Sequence, residues 1–291
     1  MLNFRKAVIE DKDELDRLFA AGGCPSLEYN FTTLFLWQEE YNMEFAVWED
    51  VLFIRSGKKD KSYLFPCGKD RIDEALDILL KEPVCFYSLS EKQAAYLDER
   101  YPGRFEFSER RDMEDYIYTA ESLMTLKGKK LSSKRNHINR FLSENPDWRY
   151  EQISKDNMDE VRAMHDKWCE LADIETRNGL LEETAAVKKA LDYFDELRLS
   201  GGLIRAGGRV VAFSVGDRLN DKTFLVHIEK AFNSVNGAYQ IMNREFVIHN
   251  CEGYEFVDRE EDTGDEGLRK AKLSYRPYKL VKKFSARERS V

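Results

Sequence analysis

The chain has 291 residues, of which 42% are hydrophobic and 34% are charged, with a formal net charge of −8 at pH 7. This balance predicts a globular protein with a sizeable core, in two domains or one large one. No apolar run approaches the ~20 residues that cross a bilayer, and the N-terminal segment is too acidic for a signal peptide. We therefore expect a cytoplasmic protein.

The cysteines and histidines do not have the spacing of a disulfide framework or a metal site. The cysteine count is odd, and no C-x-x-C pair occurs. No histidine pair has the spacing of a zinc motif. We expect the cysteines to be small core residues; they are Cys24, Cys67, Cys85, Cys169 and Cys251.

Two basic segments interrupt the acidic chain. Residues 127–140 carry six Lys or Arg residues and no acid, and residues 269–291 carry nine basic residues and one Glu. A local reversal of charge sign is informative about partners rather than about fold. It predicts an anionic ligand such as phosphate, a coenzyme tail, nucleic acid or lipid head groups.

The first half of the chain alternates strand and helix patterns. A short strand leads into a helix that ends near Gly22-Gly23, and two strands follow around the Glu49-Asp50 turn. The predicted elements that come next are the strand "KSYLFPCG", the amphipathic helix "DRIDEALDILLKE", the strand "VCFYSLS", the helix "EKQAAYLDERYPG" and the strand-like "RFEFSERRD".

The second half repeats the order in a longer form. A helix, "KKLSSKRNHINRFLSENP", precedes a strand, "DWRYEQIS", and two further helices, "DNMDEVRAMHDKWCELADI" and "LEETAAVKKALDYFDELRL". Three strands with tight turns at Gly207-Gly208 and Asn220-Asp221 follow. The remaining predicted elements are the helix "GAYQIMNREFVIHNCEG", the strand "YEFVDRE", the helix "DEGLRKAKLSY" and the strand "YKLVKKFSA".

This order resembles the GNAT (GCN5-related N-acetyltransferase) fold, in which a meander leads to a central strand, a phosphate-binding turn and a helix. Three stretches resemble the catalytic domain of bacterial phosphatidylglycerol lysyltransferases: "KGKKLSSKRNHINRF", "VHIEKAFNSVNGAYQIMNREF" and "REEDTGDEGLRKAKLSYRP". The resemblance implies an α/β (α+β) fold of two tandem GNAT-like domains, each a mixed central sheet flanked by helices. We place them at residues 1–145 and 146–291, with the active site in the second.

Residues 226–247 form a candidate anion site, because a strand passes through a polar turn into a helix. A helix that begins near Gly237 offers unpaired N–H groups and the positive end of its dipole. Gly237 also lets a ligand approach the backbone closely. The alternative is that Asn236 only caps the helix. The residues predicted to bind the donor or its anionic group are Lys230, Asn236, Gly237, Ala238, Tyr239, Arg269 and Arg276.

Three residues are candidates for catalysis: Glu229, Lys272 and Asp262. His227 and Glu229 share one face of a strand, and Glu229 could take a proton from the acceptor, whereas His227 is better explained as structural. The resemblance places Lys272 in the substrate cavity, on an exposed helix edge shared with Arg269. Asp262 is a candidate acceptor for a cationic amino group. Glu266 is a weaker one, because it also fits a helix N-terminus.

The first basic segment is a candidate polyanion site. Lys127, Lys130, Lys134 and His137 fall on one stripe beside the apolar seam of a helix. With Arg135, the three lysines are predicted to neutralise a phosphate backbone such as a tRNA acceptor arm. The alternative is that the lysines only extend past a buried edge into solvent.

The function predicted from these features is acyl transfer, with aminoacyl-tRNA as donor and an unidentified acceptor. The acetyl-CoA turn of GNAT proteins reads Q/R-x-x-G-x-G/A, and its first positions are here Asn233 and Asn236, which disfavours CoA. We expect no tightly bound cofactor and no metal. The acceptor is soluble, or a lipid reached by peripheral membrane contact. The alternatives are an acyl-CoA-dependent N-acyltransferase and a non-catalytic module that binds anions or RNA.

Overall fold

The computed structural model describes residues 2–172 and 180–289, except for the side chains of residues 172 and 180. The last two residues of the predicted helix "DNMDEVRAMHDKWCELADI" lie outside this range. The described helices are α1 (Lys12–Gly22), α2 (Phe31–Trp37), α3 (Ile72–Leu79), α4 (Glu91–Arg100), α5 (Ala120–Thr125), α6 (Ser132–Glu144), α7 (Met158–Ala172), α8 (Leu180–Asp192), α9 (Ala238–Asn250) and α10 (Glu266–Leu273).

The strands form two sheets. They are β1 (Glu44–Trp48), β2 (Val51–Ser56), β3 (Ser62–Tyr63), β4 (Cys85–Leu89), β5 (Phe105–Glu109), β6 (Asp115–Thr119), β7 (Arg149–Gln152), β8 (Ser200–Ala206), β9 (Arg209–Arg218), β10 (Thr223–Ala231), β11 (Phe256–Asp258), β12 (Lys279–Val281) and β13 (Phe284–Glu288).

Contacts between residues divide the chain into two compact units. Unit 1 comprises Met1–Asp115, Glu261–Glu266 and Leu280–Val291, and unit 2 comprises Tyr116–Glu260 and Gly267–Lys279. The predicted fold class is confirmed, because each unit contains a mixed sheet flanked by helices.

Unit 1 contains a six-stranded sheet in the order β1-β2-β3-β4-β13-β5. β3 and β4 are parallel, and β13 is antiparallel to both of its neighbours. Apolar side chains of the strands pack with those of α3 and α4, and Phe53, Leu76, Phe86 and Leu97 form part of one buried cluster. Burial of such side chains stabilises the unit by roughly 1.5–3 kcal/mol each.

Unit 2 is built on a seven-stranded sheet in the order β12-β6-β11-β10-β9-β8-β7. β7 to β10 form an antiparallel meander, and β10 pairs with β11 in parallel. The chain passes from the meander through a turn to α9 and then to the parallel strand. This is the order that the resemblance to GNAT proteins implies.

Helices cover both faces of the unit 2 sheet. α9 packs on β8, β9 and β10, and α7 packs on β9 and β10. Glu229 contacts Asn243 of α9, whereas the next residue, Lys230, contacts Trp168 of α7. Because successive side chains of a strand point to opposite faces, α7 and α9 lie on opposite sides of β10.

The observed units differ from the predicted division between residues 145 and 146. β6 pairs with β11, and α5 and α6 pack on α9, so all three elements belong to unit 2. β13 belongs instead to the sheet of unit 1. Both differences come from strand pairing and helix packing between elements that are far apart in the sequence, which local patterns do not reveal.

Several elements differ from the sequence-based expectations. The short helix α2 and the pair β6 and α5 were not predicted. The helix predicted over 181–199 ends at Asp192, and the chain then turns through Arg198, which has a positive φ of 56°. The final predicted strand is two strands, β12 and β13. Within the described residues, no helix is both long and apolar enough to cross a membrane.

Candidate active site

The candidate active site lies where β10 and β11 stop pairing. Their parallel pairing covers three residue pairs and ends at Leu225 and Asp258. Immediately beyond, a β-bulge between Val226 and Ile228 leaves His227 out of register with β9. Bulges commonly redirect side chains beside active sites. Polar residues follow on both sides of this point. They begin with His227 on β10 and with Arg259 directly after β11.

Glu229 is the central carboxylate of the site. Its Oε1 accepts a hydrogen bond from Nη2 of Arg259, and its Oε2 accepts one from Nδ2 of Asn243 on α9, each at 3.0 Å. The side chains of Glu229 and Arg259 are both largely buried, at 13% and 12% exposed. A buried ion pair of this kind requires further hydrogen bonds to offset its desolvation.

Two polar atoms beside Glu229 are left without such bonds. Among the residues that the structure describes, Nη1 of Arg259 and Oδ1 of Asn243 are buried and have no hydrogen-bond partner. One is a donor and the other an acceptor, and both side chains contact the same carboxylate. Leaving a buried polar group unpaired costs about 1–3 kcal/mol. Such groups mark a place where a ligand can bind.

Two lysines bring further positive charge to the site. Nζ of Lys134, on α6, lies 4.2 Å from the centroid of the Tyr275 ring, and the guanidinium of Arg259 lies 4.9 Å from the same centroid. Burial, and then the charge of Arg259, lower the pKa of Lys134. Nζ of Lys272 donates a hydrogen bond to the carbonyl oxygen of Arg259 at 2.6 Å. The site therefore combines three cations with the carboxylate of Glu229.

Two tyrosines hold these cations in place. The hydroxyl of Tyr118 donates a hydrogen bond to the carbonyl oxygen of Lys272 at 2.8 Å, and its ring packs edge-on against Tyr275. Burial raises the pKa of both phenols. The two rings also present their faces to Arg259, which is a favourable cation–π arrangement.

The structure places Lys272 differently from the expectation of an exposed helix edge. That expectation is wrong, because Lys272 is buried, at 8% exposed. Its ammonium holds the backbone of Arg259 and lies over the ring of Tyr116. Its neighbour on the predicted edge, Arg269, is half-buried, and Arg276 is exposed just after α10 with a positive φ of 58°.

Lys230 points to the other face of β10 from Glu229, and Tyr239, in the first turn of α9, interacts with the same Trp168. The Lys230 ammonium pairs with Glu183 at 2.6 Å and lies 4.0 Å from the Trp168 ring centroid. Burial raises the pKa of Tyr239, although hydrogen bonds from the Ala231 backbone and the Trp168 side chain oppose the shift. The predicted role of these two residues in binding the donor remains a prediction.

The N-terminus of α9 is built for packing against α6. Gly237 is its N-cap, with φ 76°, and no side chain caps the helix. A Cβ on Gly237 would lie 2.3 Å from the carbonyl oxygen of His137. The close approach expected of a ligand is therefore made by α6. Asn236 does not cap the helix but donates to Glu144, and Ala238 is buried.

A Gly237→Ala substitution is expected to destabilise the protein through this contact. The reference is Gly207→Ala, because Gly207 also has a positive φ, 57°, but a Cβ there meets no atom within 4 Å. The extra cost at Gly237 should be about 1–3 kcal/mol, the usual range for overpacking. Denaturant titration of the two variants measures it. Equal losses in both would show that α6 yields without strain.

Asp262 already has charged and backbone partners within unit 1. It belongs to unit 1, where its buried carboxylate pairs with Arg111 at 3.2 Å and accepts a hydrogen bond from the backbone of Gly264. Glu266 is exposed at the start of α10. The proposed contact of Asp262 with a substrate ammonium is untested, but its carboxylate is already engaged.

The predicted polyanion stripe does not lie along one helix. α6 begins at Ser132, so Lys127 and Lys130 precede it and are exposed, while Lys134 is buried on its inner face. Arg135 donates hydrogen bonds to the carbonyl oxygens of Leu126 and Gly128. The basic segment therefore divides into an exposed part and a part that belongs to the candidate active site.

His227 forms a separate buried charge cluster. Its Nε2 lies 3.0 Å from Oδ1 of Asp217, and its Nδ1 lies 3.0 Å from Oε1 of Glu260. Burial lowers the pKa of the imidazole, but the two carboxylates outweigh it and raise the pKa to about 10. A protonated imidazole with both N–H groups engaged cannot accept a proton. This geometry supports the structural explanation of His227.

The His227 cluster should make stability depend on pH. The pKa is raised in the folded state, so the contribution is complete below about pH 6.5, where the unfolded imidazole is also protonated, and declines from there to about pH 10. His227→Gln should therefore lose most stability relative to wild type at low pH, and the difference should shrink as the pH rises. Thermal melts across this range, with the exposed His137→Gln as control, test it. A constant difference would contradict the charged imidazole.

Sequence reasoning missed the residues that complete the site. Arg259 lies near the end of the predicted strand "YEFVDRE" and directly follows the observed β11, and Asn243 lies in the apolar face of α9 among Ile241, Met242 and Phe246. Two signals were available in the sequence. Asn243 is a polar residue inside an apolar helical stripe, and Arg259 is a charge at the end of a strand.

The fold consists of two units, each with a mixed sheet flanked by helices, and the charged cluster lies where the central strands of unit 2 part. More particularly, the chain belongs to the family described as phosphatidylglycerol lysyltransferase, C-terminal, whose model matches residues 25–287. The resemblance predicted from the sequence is thereby confirmed. Membership of this family supports an acyltransferase activity for this chain.

Comparisons with other proteins agree with this family. A conserved protein of unknown function from Bacteroides thetaiotaomicron is 35% identical, with 99% of this chain and 100% of that chain covered and a TM-score of 0.94. The C-terminal domain (DUF2156) of a protein described as a lysylphosphatidylglycerol synthetase from Agrobacterium fabrum has the same fold, with 15% identity, coverage of 96% and 92%, and a TM-score of 0.70.

A protein from Mycoplasmoides gallisepticum is also similar to this chain. It is described as an uncharacterized protein and is 23% identical over 258 residues, which cover 84% of this chain and 81% of the relative.

Proposed function

We propose that this protein transfers an aminoacyl group from aminoacyl-tRNA to a nucleophilic acceptor, at the site beside Glu229. The observation that carries the proposal is the pair of unpaired, buried polar atoms, Nη1 of Arg259 and Oδ1 of Asn243. An aminoacyl ester offers a carbonyl oxygen, which can accept from Arg259, and an α-ammonium group, which can donate to Asn243.

The cations supply the stabilisation that the reaction needs. When a nucleophile attacks an ester carbonyl, negative charge develops on the carbonyl oxygen, and preorganised donors at that position lower the barrier. Arg259 is held by Glu229, by the two tyrosine rings and by Lys272, so its donor is fixed before substrate binds. Lys134 adds a second cation beside the same ring.

Glu229 is the group that can take the proton of the acceptor. Each of its oxygens accepts one hydrogen bond from the protein and retains a further lone pair. The acceptor hydroxyl or amine loses its proton to this carboxylate as it bonds to the carbonyl carbon. The bond between that carbon and the ribose oxygen of the tRNA then breaks, and Glu229 returns the proton to the leaving ribose oxygen. No covalent intermediate with the protein is required, so the reaction is direct transfer between two aligned substrates.

Transfer RNA is favoured over acyl-CoA as the donor by the packing at Gly237. In the sequence, the CoA-binding turn lacks two of its usual residues, and in the fold the backbone of α6 fills the space beside Gly237, where an added Cβ would lie 2.3 Å from the carbonyl oxygen of His137. The exposed Lys127 and Lys130 are available to a polyanion. The family description supports a lysyl donor and a phosphatidylglycerol acceptor as the first pair to test.

The test is a transfer assay with the purified full chain. Each radiolabelled aminoacyl-tRNA is incubated with vesicles that contain phosphatidylglycerol, and separately with a small-molecule fraction of bacterial cytosol. The expected result is enzyme-dependent movement of label from tRNA into one acceptor fraction. Radiolabelled acetyl-CoA is run in parallel. Transfer from acetyl-CoA alone would replace the proposal with an acyl-CoA-dependent activity, and tRNA binding without transfer would favour a binding module.

Lys127→Ala combined with Lys130→Ala is expected to weaken tRNA binding without changing the fold. Both side chains are exposed; the pair of Lys127 with Glu121, at 3.8 Å between exposed groups, contributes little to stability. Loss of two phosphate contacts should reduce the slope of log affinity against log salt by about 1.4–1.8. Filter binding over a salt series measures this slope. An unchanged slope would show that these lysines do not contact tRNA, whatever the outcome of the transfer assay.

A further inference from the structure

Two cysteines that are far apart in the sequence meet in unit 1. Sγ of Cys67 packs against Gly22. A Cβ added to Gly22 would lie 2.3 Å from this sulfur. Sγ of Cys24 lies 3.9 Å from the carbonyl oxygen of the same glycine. Both sulfurs therefore contact one residue at the end of α1, and the two thiols are close enough to influence each other's ionisation. Both cysteines are free.

The two thiols have different surroundings. Cys24 is half-buried, and its sulfur accepts a hydrogen bond from Nε2 of Gln93 at 3.4 Å. Cys67 is buried and donates to the carbonyl oxygen of Leu18 at 3.6 Å. The neighbouring Cys67 thiol lowers the pKa of Cys24 although burial opposes it, and the neighbouring Cys24 sulfur, together with burial, raises the pKa of Cys67. Cys24 is therefore the more acidic thiol of the pair.

Gln93 connects this pair to a surface cavity. The same amide that bonds Cys24 lies 3.3 Å from the hydroxyl of Tyr29, and Gln93 also lines an open cavity of about 450 Å³ together with Phe65 and Tyr96. A small oxidant that enters this cavity meets Gln93, whose amide is bonded to the sulfur of Cys24. Cys67, which is buried, is shielded from it.

We propose that Cys24 and Cys67 are an oxidation site at which a hydroperoxide converts the two thiols into a disulfide. The thiolate of Cys24 attacks one oxygen of hydrogen peroxide, the O–O bond breaks, and the leaving hydroxide takes a proton to become water. Cys24 is then a sulfenic acid. Cys67 loses its proton and attacks that sulfur, the S–O bond breaks, and the hydroxide leaves as a second water. Together the two thiols lose two electrons, and one peroxide gains them and is reduced to two waters.

This site is separate from the proposed transfer reaction. Cys24 and Cys67 belong to unit 1, and none of the groups around Glu229 takes part. The bond would join the segment after α1 to the residue that forms an isolated bridge with Leu52 of β2. It would constrain the unfolded chain across this loop and so stabilise the folded form.

The test treats the full-length protein with a small excess of hydrogen peroxide and then alkylates the unfolded chain. We expect the number of alkylated cysteines to fall from five to three, and non-reducing peptide mapping to find Cys24 linked to Cys67. Dithiothreitol should restore all five. Retention of all five reactive thiols, or a link between any other pair, would overturn the proposal.

Two variants test the order of the steps. In Cys67→Ser, dimedone should trap a sulfenic acid on Cys24, because the second thiol is missing. In Cys24→Ser, Cys67 should stay reduced, since it is buried. Cys85→Ser is the matched control and should leave the Cys24–Cys67 link unchanged. Dimedone labelling of Cys67 in place of Cys24 would reverse the assigned roles and so contradict the proposal. The peptide map of the wild-type chain decides the link even if a variant folds poorly.

Discussion

Replacing Lys283 with Met is expected to lower the free energy of unfolding by about 3–5 kcal/mol. Lys283 is fully buried in unit 1, and its ammonium lies 2.7 Å from Oε1 of Glu28 and 2.6 Å from Oδ1 of Asp115. Burial alone lowers the pKa of this lysine, but Asp115 and Glu28 raise it overall, so it is a permanent cation. Its removal leaves two carboxylates buried next to each other without a counter-charge.

Lys282→Met is the matched control for this substitution. Lys282 is the preceding residue in the sequence, its side chain is half-exposed, and its ammonium lies 3.9 Å from Glu109. An exposed pair of this kind contributes at most about 1 kcal/mol. Denaturant unfolding of both variants at neutral pH gives the comparison. If Lys283→Met were as stable as the control, the buried carboxylates would have to take up protons or rearrange without cost. The cluster of Lys283, Glu28 and Asp115 would then not be required for stability.

The second large effect is expected on transfer rather than on stability. Arg259→Lys retains a cation beside Glu229 but removes the fixed Nη1 donor, because an ammonium cannot reproduce the planar fork of a guanidinium. Transfer from aminoacyl-tRNA should fall on the order of a hundredfold, or about 3 kcal/mol of barrier, as for deletion of one preorganised donor. A single-turnover assay with saturating donor measures the chemical step.

The control for Arg259→Lys is Arg218→Lys. Arg218 lies at the end of β9 in the same unit, and its guanidinium pairs with Asp221 in solvent. This substitution should leave both the transfer rate and the melting temperature near those of wild type. If Arg259→Lys melts normally and transfers at the wild-type rate, the unpaired donor does not contact the reacting carbonyl. If it melts early, a Glu229→Gln variant distinguishes loss of the ion pair from loss of the donor.

The sequence was most informative where a pattern is local. The two strands around Glu49 and Asp50 were predicted from turn residues, and both turn residues have positive φ. The meander from β8 to β10 and the helix after Gly237 were likewise predicted, because hydrophobic periodicity and glycine turns act over a few residues. The family resemblance was found from three short stretches that all contribute to unit 2.

The sequence was least informative about buried charge. Lys134, Lys272 and Lys283 were interpreted as ligands for anions or as part of a basic tail, because lysine is almost always exposed. In the fold, Lys283 pairs with carboxylates more than a hundred residues away. Whether a lysine is buried depends on partners from distant segments, and no local pattern in one sequence identifies them.

The position of β13 determines when unit 1 can finish folding. β13 separates β4 from β5, and its residues Phe284–Glu288 pair with both. During synthesis the ribosome produces all of unit 2 before these residues. A nascent chain of the first 115 residues therefore has β4 and β5 with exposed edges, which are sites of aggregation. Unit 1 is thus expected to remain dependent on chaperones until β13 has left the ribosome.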